Sequence, residues 1–159
     1  MNYEIRKIEV EELYKLDKLY VYSDLDKFIG DTTTDLLNRK RDIFVIICEE
    51  EFIGELSVYY ESGLRYETIS SVRVYLSAFR VYIDYQNQGL GRKLVEYAIK
   101  TLEGEGYSEF TVGVEDDNYN SKHIYNSYGF TQVIDRGCET VGDKTYEYNL
   151  LLRKEITKP

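Results

Sequence analysis

Between a β-rich run ending near Ile83 and an apolar helical stripe beginning at Leu90 stands the turn Asp84-Tyr85-Gln86-Asn87-Gln88-Gly89-Leu90-Gly91-Arg92-Lys93. A strand, a glycine turn and a helix start, in that order, form a site for anions. The first amides of a helix have no internal acceptors, so they can point at phosphate oxygens, and the positive end of the helix dipole adds to the attraction. Gly89 and Gly91 let the backbone approach a ligand with no β-carbon in the way. Arg92 and Lys93 bring positive charge to the same place. A tight turn with a purely structural role would use the two glycines equally well. The run lacks the three spaced glycines of a dinucleotide fingerprint and the Gly-Lys-Ser/Thr ending of a P-loop, which sets both nucleotide arrangements behind.

Other reactive residue types are sparse. Cys48 and Cys138 stand alone and His123 is the only histidine, so no Cys/His metal spacing exists and neither cysteine has an activating histidine beside it in sequence. Free thiols, no metal and no covalent acyl-cysteine intermediate are the expectation.

The elements around the turn read as a mixed α/β fold. Tyr3, Ile5 and Lys7 alternate as a first strand, followed by Leu13, Leu16, Leu19 and Tyr20 at helical spacing behind Glu11 and Glu12. Asp24 to Gly30 reads as a loop, and Asp31 to Thr34 as the cap of a second helix ending near Lys40 and Arg41. Phe44–Cys48 and Phe52–Tyr60 form a hairpin around Glu49–Glu51, and a further strand, with room for a bulge, runs from Val72 to Ile83. Leu90, Leu94, Val95, Ala98, Ile99 and Leu102 give one helical face that stops before Gly104 and Gly106. A strand over Glu109–Val114, a helix over Asn120–Tyr128 and two strands around the turn Val141–Lys144 complete the chain. No repeat or linker interrupts this order, so residues 1–159 are expected to form one α/β domain.

Gln86-Asn87-Gln88-Gly89-Leu90-Gly91 resembles the Q/R-x-x-G-x-G/A coenzyme A signature of the GNAT N-acetyltransferase family. About thirty residues on, the segment from Asn118 through Tyr125 to Gly129-Phe130 resembles that family's asparagine, small-residue helix, tyrosine and terminal Gly-Phe. The order of elements agrees as well, so the resemblance covers most of the chain. It implies a mostly antiparallel central sheet flanked by helices. Two central strands would splay at a β-bulge and admit the pantetheine arm of acetyl-CoA, with Tyr82–Asp84 on one side and Val112–Glu115 on the other. It places Tyr82, Ile83, Gln86, Asn87, Gln88, Gly89, Leu90, Gly91, Arg92, Lys93 and Asn118 on the cofactor, Asn118 having helix capping as its rival role. Tyr125 matches the tyrosine that protonates the departing thiolate, with packing against the sheet as the alternative.

The implied reaction is direct acetyl transfer to an amine, a strand amide near Tyr82 or Ile83 polarising the thioester carbonyl. Glu67, Glu115, Asp116 and Asp117 are possible acceptor contacts or bases. The acidic trio is the better placed, just after the expected cofactor strand, though a solvated charge run reads equally well there. The family's usual glutamate on the strand before the glycine turn has no counterpart: Leu76, Ser77, Arg80 and Tyr82 stand nearby. A catalytically idle acyl-CoA-binding domain is therefore the competing reading. His123, two residues before Tyr125, does not share its helical face and reads as a surface or packing residue.

Composition narrows the partners. Twenty Lys and Arg against twenty-nine Asp and Glu give a net charge of −9, which disfavours nucleic acid and anionic membranes and suits a cationic acceptor, small molecule or peptide, with simple dispersal of the protein in solution as the alternative reading of that charge. No run of about eighteen apolar residues and no apolar leader occurs, so a cytoplasmic enzyme is expected. The family resemblance adds an expected homodimer.

Overall fold

The computed structural model describes residues 1–63 and 66–155. It is a mixed α/β fold whose seven strands follow the order β1-β2-β3-β4-β5-β7-β6. The strands are β1 (Glu4–Lys7), β2 (Arg41–Cys48), β3 (Glu51–Tyr59), β4 (Arg73–Val81), β5 (Glu109–Glu115), β6 (Gln132–Val141) and β7 (Lys144–Lys154). The helices are α1 (Leu25–Leu37), α2 (Leu90–Gly104) and α3 (Tyr119–Ser127), with a 3₁₀ helix at Val10–Lys18. β4 and β5 run parallel, while β1–β2, β2–β3, β5–β7 and β6–β7 are antiparallel. No helix among the described residues is long and apolar enough to cross a membrane. The chain divides into two compact units, one of Met1–Tyr59 with Ser77–Thr101 and the other of Tyr60–Leu76 with the residues from Leu102 onward.

In the first unit β2 is buried on both faces, which is why its sequence is an almost unbroken apolar run. Ile43 and Val45 join Ile8, Leu13, Leu16 and Phe52 in one cluster, against which Phe28, Ile29 and Leu36 of α1 pack. Each such side chain removed from water contributes about 1.5–3 kcal/mol. Phe44 points to the other face and meets Tyr97 of α2 edge-on, ring centroids 6.1 Å apart.

The stretch read as a loop before Asp31 is the first half of α1. Asp24 caps it by accepting the Lys27 amide at 3.0 Å, and the apolar spacing of Phe28, Ile29 and Leu36 then continues through Gly30. A lone glycine lowers helix propensity by about 1 kcal/mol, less than the packing of that face returns.

In the second unit the first half of β4 pairs with β5 from Arg73↔Glu109 to Leu76↔Val112. The first of these pairs is also an ion pair: Arg73 Nη2 lies 2.7 Å from Glu109 Oε1. Among the described residues, β5 beyond Val112 pairs with β7 alone, from Gly113↔Leu150 to Glu115↔Tyr148. Val112, expected at the edge of an opening, is thus still paired with Leu76. Two residues past Leu76, Ala78 has φ +50°, a left-handed value that a side-chain-bearing residue adopts only at a bulge or turn. It marks the anticipated irregularity in β4.

Candidate functional site

The glycine turn between β4 and α2 is built as its sequence requires. A short 3₁₀ turn over Ile83–Tyr85 ends β4, and the Gln86 side-chain amide folds back to donate to the Val81 carbonyl at 2.8 Å. Asn87 and Gly89 both take left-handed values, φ +62° and +79°, so the chain reverses twice before α2 begins at Leu90. The first helical bond to close is from Lys93 N–H to the Gly89 carbonyl, 3.2 Å, so the amides of Leu90 and Gly91 stand in the opening turn, ahead of the helical ladder. No atom lies within 4 Å of where a Gly89 β-carbon would stand. Gly91 sits inside the first turn of α2, so the backbone freedom that matters is that of Gly89. The Lys93 ammonium leans over the Tyr3 ring at 5.4 Å.

Tyr82 is differently employed from the sequence expectation. Its amide donates to the Ile53 carbonyl of β3 at 2.8 Å, and its ring sits under the Lys18 ammonium at 4.8 Å. That amide is already committed, and Ile83 follows it as the first residue of the short turn, largely exposed.

Tyr125 lies on α3, half-buried, its ring edge-on to Phe130 with centroids 6.1 Å apart. Burial, with a small contribution from Tyr128, pushes its hydroxyl up to about 12, so it stays protonated and available as a donor. The helix carrying it is closed at both ends. The Asn118 side chain accepts the Ser121 amide at 3.1 Å, the capping role. At the other end Gly129, at φ +93°, allows the Phe130 amide to return to the Tyr125 carbonyl at 3.0 Å. His123 is exposed.

The acidic trio divides. Asp116 accepts from Asn149 Nδ2 at 3.0 Å and from Lys122 Nζ at 3.1 Å, and these bonds, Asn149 first, hold its carboxyl below the usual range. A carboxylate so held is a poor proton acceptor. Glu115 and Asp117 are exposed and line, with Asp116, Thr145, Tyr146 and Glu147, an open hollow of ≈ 450 Å³. Glu67 is the opposite case: 6% exposed, with a carboxyl raised above the ordinary range by burial, against an opposing hydrogen bond from Ser62.

A further polar group, in the first unit, has only a faint signal in sequence. Glu55 of β3 is 1% exposed and accepts from Arg80 Nη1 at 3.0 Å. Arg41, also buried, donates from Nη2 to Ser57 Oγ at 2.7 Å. Burial raises the Glu55 carboxyl to about 7 against the pull of both guanidinium groups. Among the described residues, its Oε2 atom and Arg41 Nε have no hydrogen-bond partner, though both are buried. A glutamate standing alone in the apolar run Phe52–Val58 was the available cue, since an isolated acid in a two-sided buried strand must be paired or neutral.

The acetyltransferase (GNAT) family model matches residues 4–130. PaiA N-acetyltransferase from Thermoplasma acidophilum, in complex with coenzyme A, superposes with a TM-score of 0.68 at 20% identity, over 97% of this chain and 99% of its own. The ribosomal-protein-S18-alanine N-acetyltransferase of Escherichia coli does so with a TM-score of 0.74 at 18% identity, over 99% and 97%. A GNAT family acetyltransferase from Elizabethkingia anophelis with acetyl-CoA bound gives 0.65 at 15%, over 96% and 98%. At these identities the likeness is one of fold. No curated protein matches the sequence.

Proposed function

Because this chain belongs to the acetyltransferase (GNAT) family, we propose that it transfers the acetyl group of acetyl-CoA directly to an amine, the whole chain working as one transferase domain. The observation that carries the reading is Tyr125, a half-buried phenol whose hydroxyl burial keeps protonated, on a helix fixed at both ends. Such a donor assists the departure of a thiolate from a thioester. The turn Gln86–Lys93 supplies the helix-terminal amides of Leu90 and Gly91 for the phosphates of the donor, and Asn118 acts through the cap that fixes α3. With the Tyr82 amide engaged by Ile53, a neighbouring amide polarises the thioester carbonyl. Backbone groups alternate in direction along a strand, so that of Val81 or Ile83 is the proposed donor.

Solved relatives of this fold include an enzyme for the alanine of a ribosomal protein, and the net charge of −9 favours a cationic acceptor, so both peptide N-termini and small polyamines belong in a trial panel. A cytoplasmic location and a homodimer complete the proposal. The test is thiol release from acetyl-CoA across polyamines, aminoglycosides, amino acids and peptide N-termini, with mass detection of the product. Amine-dependent release with an acetylated product is expected. Acetyl-CoA binding with no release for any amine would support the idle binding domain, a reading favoured by one feature: β4, Arg73–Val81, carries no carboxylate.

A further inference from the structure

Opposed residues of paired strands project to the same face, and residues two apart along a strand do the same. In the second unit the pairs Tyr75↔Thr111, Gly113↔Leu150, Glu115↔Tyr148 and Gly137↔Tyr148 therefore put Tyr75, Thr111, Gly113, Tyr148 and Gly137 on one face. Two of these positions lack a side chain, and each is filled by a tyrosine. A β-carbon on Gly113 would come within 3.1 Å of the Tyr75 hydroxyl, and one on Gly137 within 2.6 Å of the Tyr148 ring. The glycines form a floor on which the two rings lie.

The segment carrying Glu67 is pinned to the same face. Thr111 Oγ1 donates to the Glu67 carbonyl at 2.8 Å, and Arg73 Nη1 donates to the preceding carbonyl, Tyr66, at 2.8 Å. Two successive carbonyls are thus held while the Glu67 side chain is buried to 6% exposure. The groups acting on that carboxyl are the Ser62 side chain and the exposed Glu139 of β6, while burial and, after it, the Glu67 charge raise the hydroxyls of Tyr75 of β4 and Tyr148 of β7.

We propose that Glu67, held by Thr111 against the face that carries Tyr75 and Tyr148, receives the proton of the acceptor ammonium. The assignment rests on the acetyl-transfer reading above and supplies the base that β4 lacks. A buried carboxylate recognises a primary ammonium by charge and hydrogen bonding, and tyrosines on the neighbouring face can add cation–π contact. The ammonium gives one proton to Glu67, and the freed nitrogen lone pair forms the C–N bond to the thioester carbon. The C–S bond breaks with its electron pair on sulfur, which takes the Tyr125 proton. The nitrogen's second proton restores the phenol, and Glu67 releases the first to water, so that one ammonium and one thioester give an amide, a thiol and one proton. A carboxyl whose affinity for protons is raised by burial is suited to this step.

The test uses the full chain labelled with carboxyl carbon-13 glutamate, the Glu67 resonance being the one that Glu67→Gln deletes. It is expected to titrate above the ordinary glutamate range and to move when spermidine or an alanine-terminated hexapeptide is added with coenzyme A present. In kinetics with the same two amines, Glu67→Gln is expected to lower kcat/KM on the order of 10²-fold and to remove the acid limb of the pH profile. Its acetyl-CoA affinity by calorimetry should stay within about two-fold of wild type, and Glu67→Asp should recover part of the rate. A Glu67 carboxyl that titrates in the ordinary range and ignores both amines overturns the proposal, as does a folded Glu67→Gln with the wild-type pH profile. Wild-type protein whose Glu67 answers to spermidine but which transfers no acetyl group would instead count against the transfer reading and leave amine recognition by Glu67 standing.

Discussion

Tyr75 occupies the space that a side chain at Gly113 would fill, its hydroxyl 3.1 Å from the place of the missing β-carbon. The two residues are on neighbouring strands, and Gly113 is the first residue of β5 beyond the last β4–β5 pair. Room for the ring exists only because β5 carries glycine there. Gly113→Val should displace the Tyr75 ring and cost about 1–3 kcal/mol by overpacking, read as a lower urea midpoint with unchanged slope. Transfer to any accepted amine should fall more than acetyl-CoA affinity does. Wild-type stability together with wild-type turnover would show that the glycine makes no room that matters.

Gly89→Asp should weaken acetyl-CoA binding by at least about tenfold, equivalent to 1.4 kcal/mol. It puts a carboxylate beside the amides proposed to hold phosphate and a β-carbon on a residue at φ +79°. Calorimetry on protein with an unaltered circular dichroism spectrum is the measurement. Gly89→Asn tolerates the same φ without the charge and should bind better than the aspartate. Equal affinity in all three proteins would remove the turn from the cofactor site.

Tyr125→Phe keeps the ring against Phe130 and deletes only the hydroxyl. Single-turnover thiol release should drop on the order of 10²-fold while acetyl-CoA affinity changes far less. Because the hydroxyl is held at about 12, the donor remains protonated up to about pH 11, and alkaline loss of activity below that must come from another group. A saturated single-turnover rate unaffected by the substitution would exclude Tyr125 as the proton source.

Glu55 should make stability depend on pH in the unusual sense for a carboxyl. Its folded value, about 7, lies above the ordinary 4.5, so between these pH values the folded chain binds a proton that the unfolded chain does not. Its contribution is therefore fully present below about pH 4.5 and is lost as pH rises toward 7, an effect on the order of 1–3 kcal/mol. Thermal unfolding followed from pH 5 to 8 should show the fall, and Glu55→Gln should flatten it. An identical slope in the variant would mean that the Arg80 pairing keeps Glu55 ionised throughout.

The sequence by itself determined the elements and the two ends of the proposed chemistry. The apolar, β-branched runs of β2 and β3, the apolar stripe of α2, the Gly89 turn and the Asn118 to Phe130 segment are local patterns, and local backbone preference together with burial is enough to specify them. Where a local pattern was ambiguous, packing ruled. Gly30 hid the first half of α1 because a single glycine weakens the helical signal, yet Phe28 and Ile29 have a core to pack on. Only the tertiary structure decided what each polar residue does. Tyr82 has its amide taken by Ile53, Asp116 is tied to Asn149 and Lys122, and Glu67 is drawn under the surface beside Tyr75 and Tyr148. A carboxylate's proton affinity follows from its burial and its partners, and residues that far apart in sequence become neighbours only through strand pairing and register.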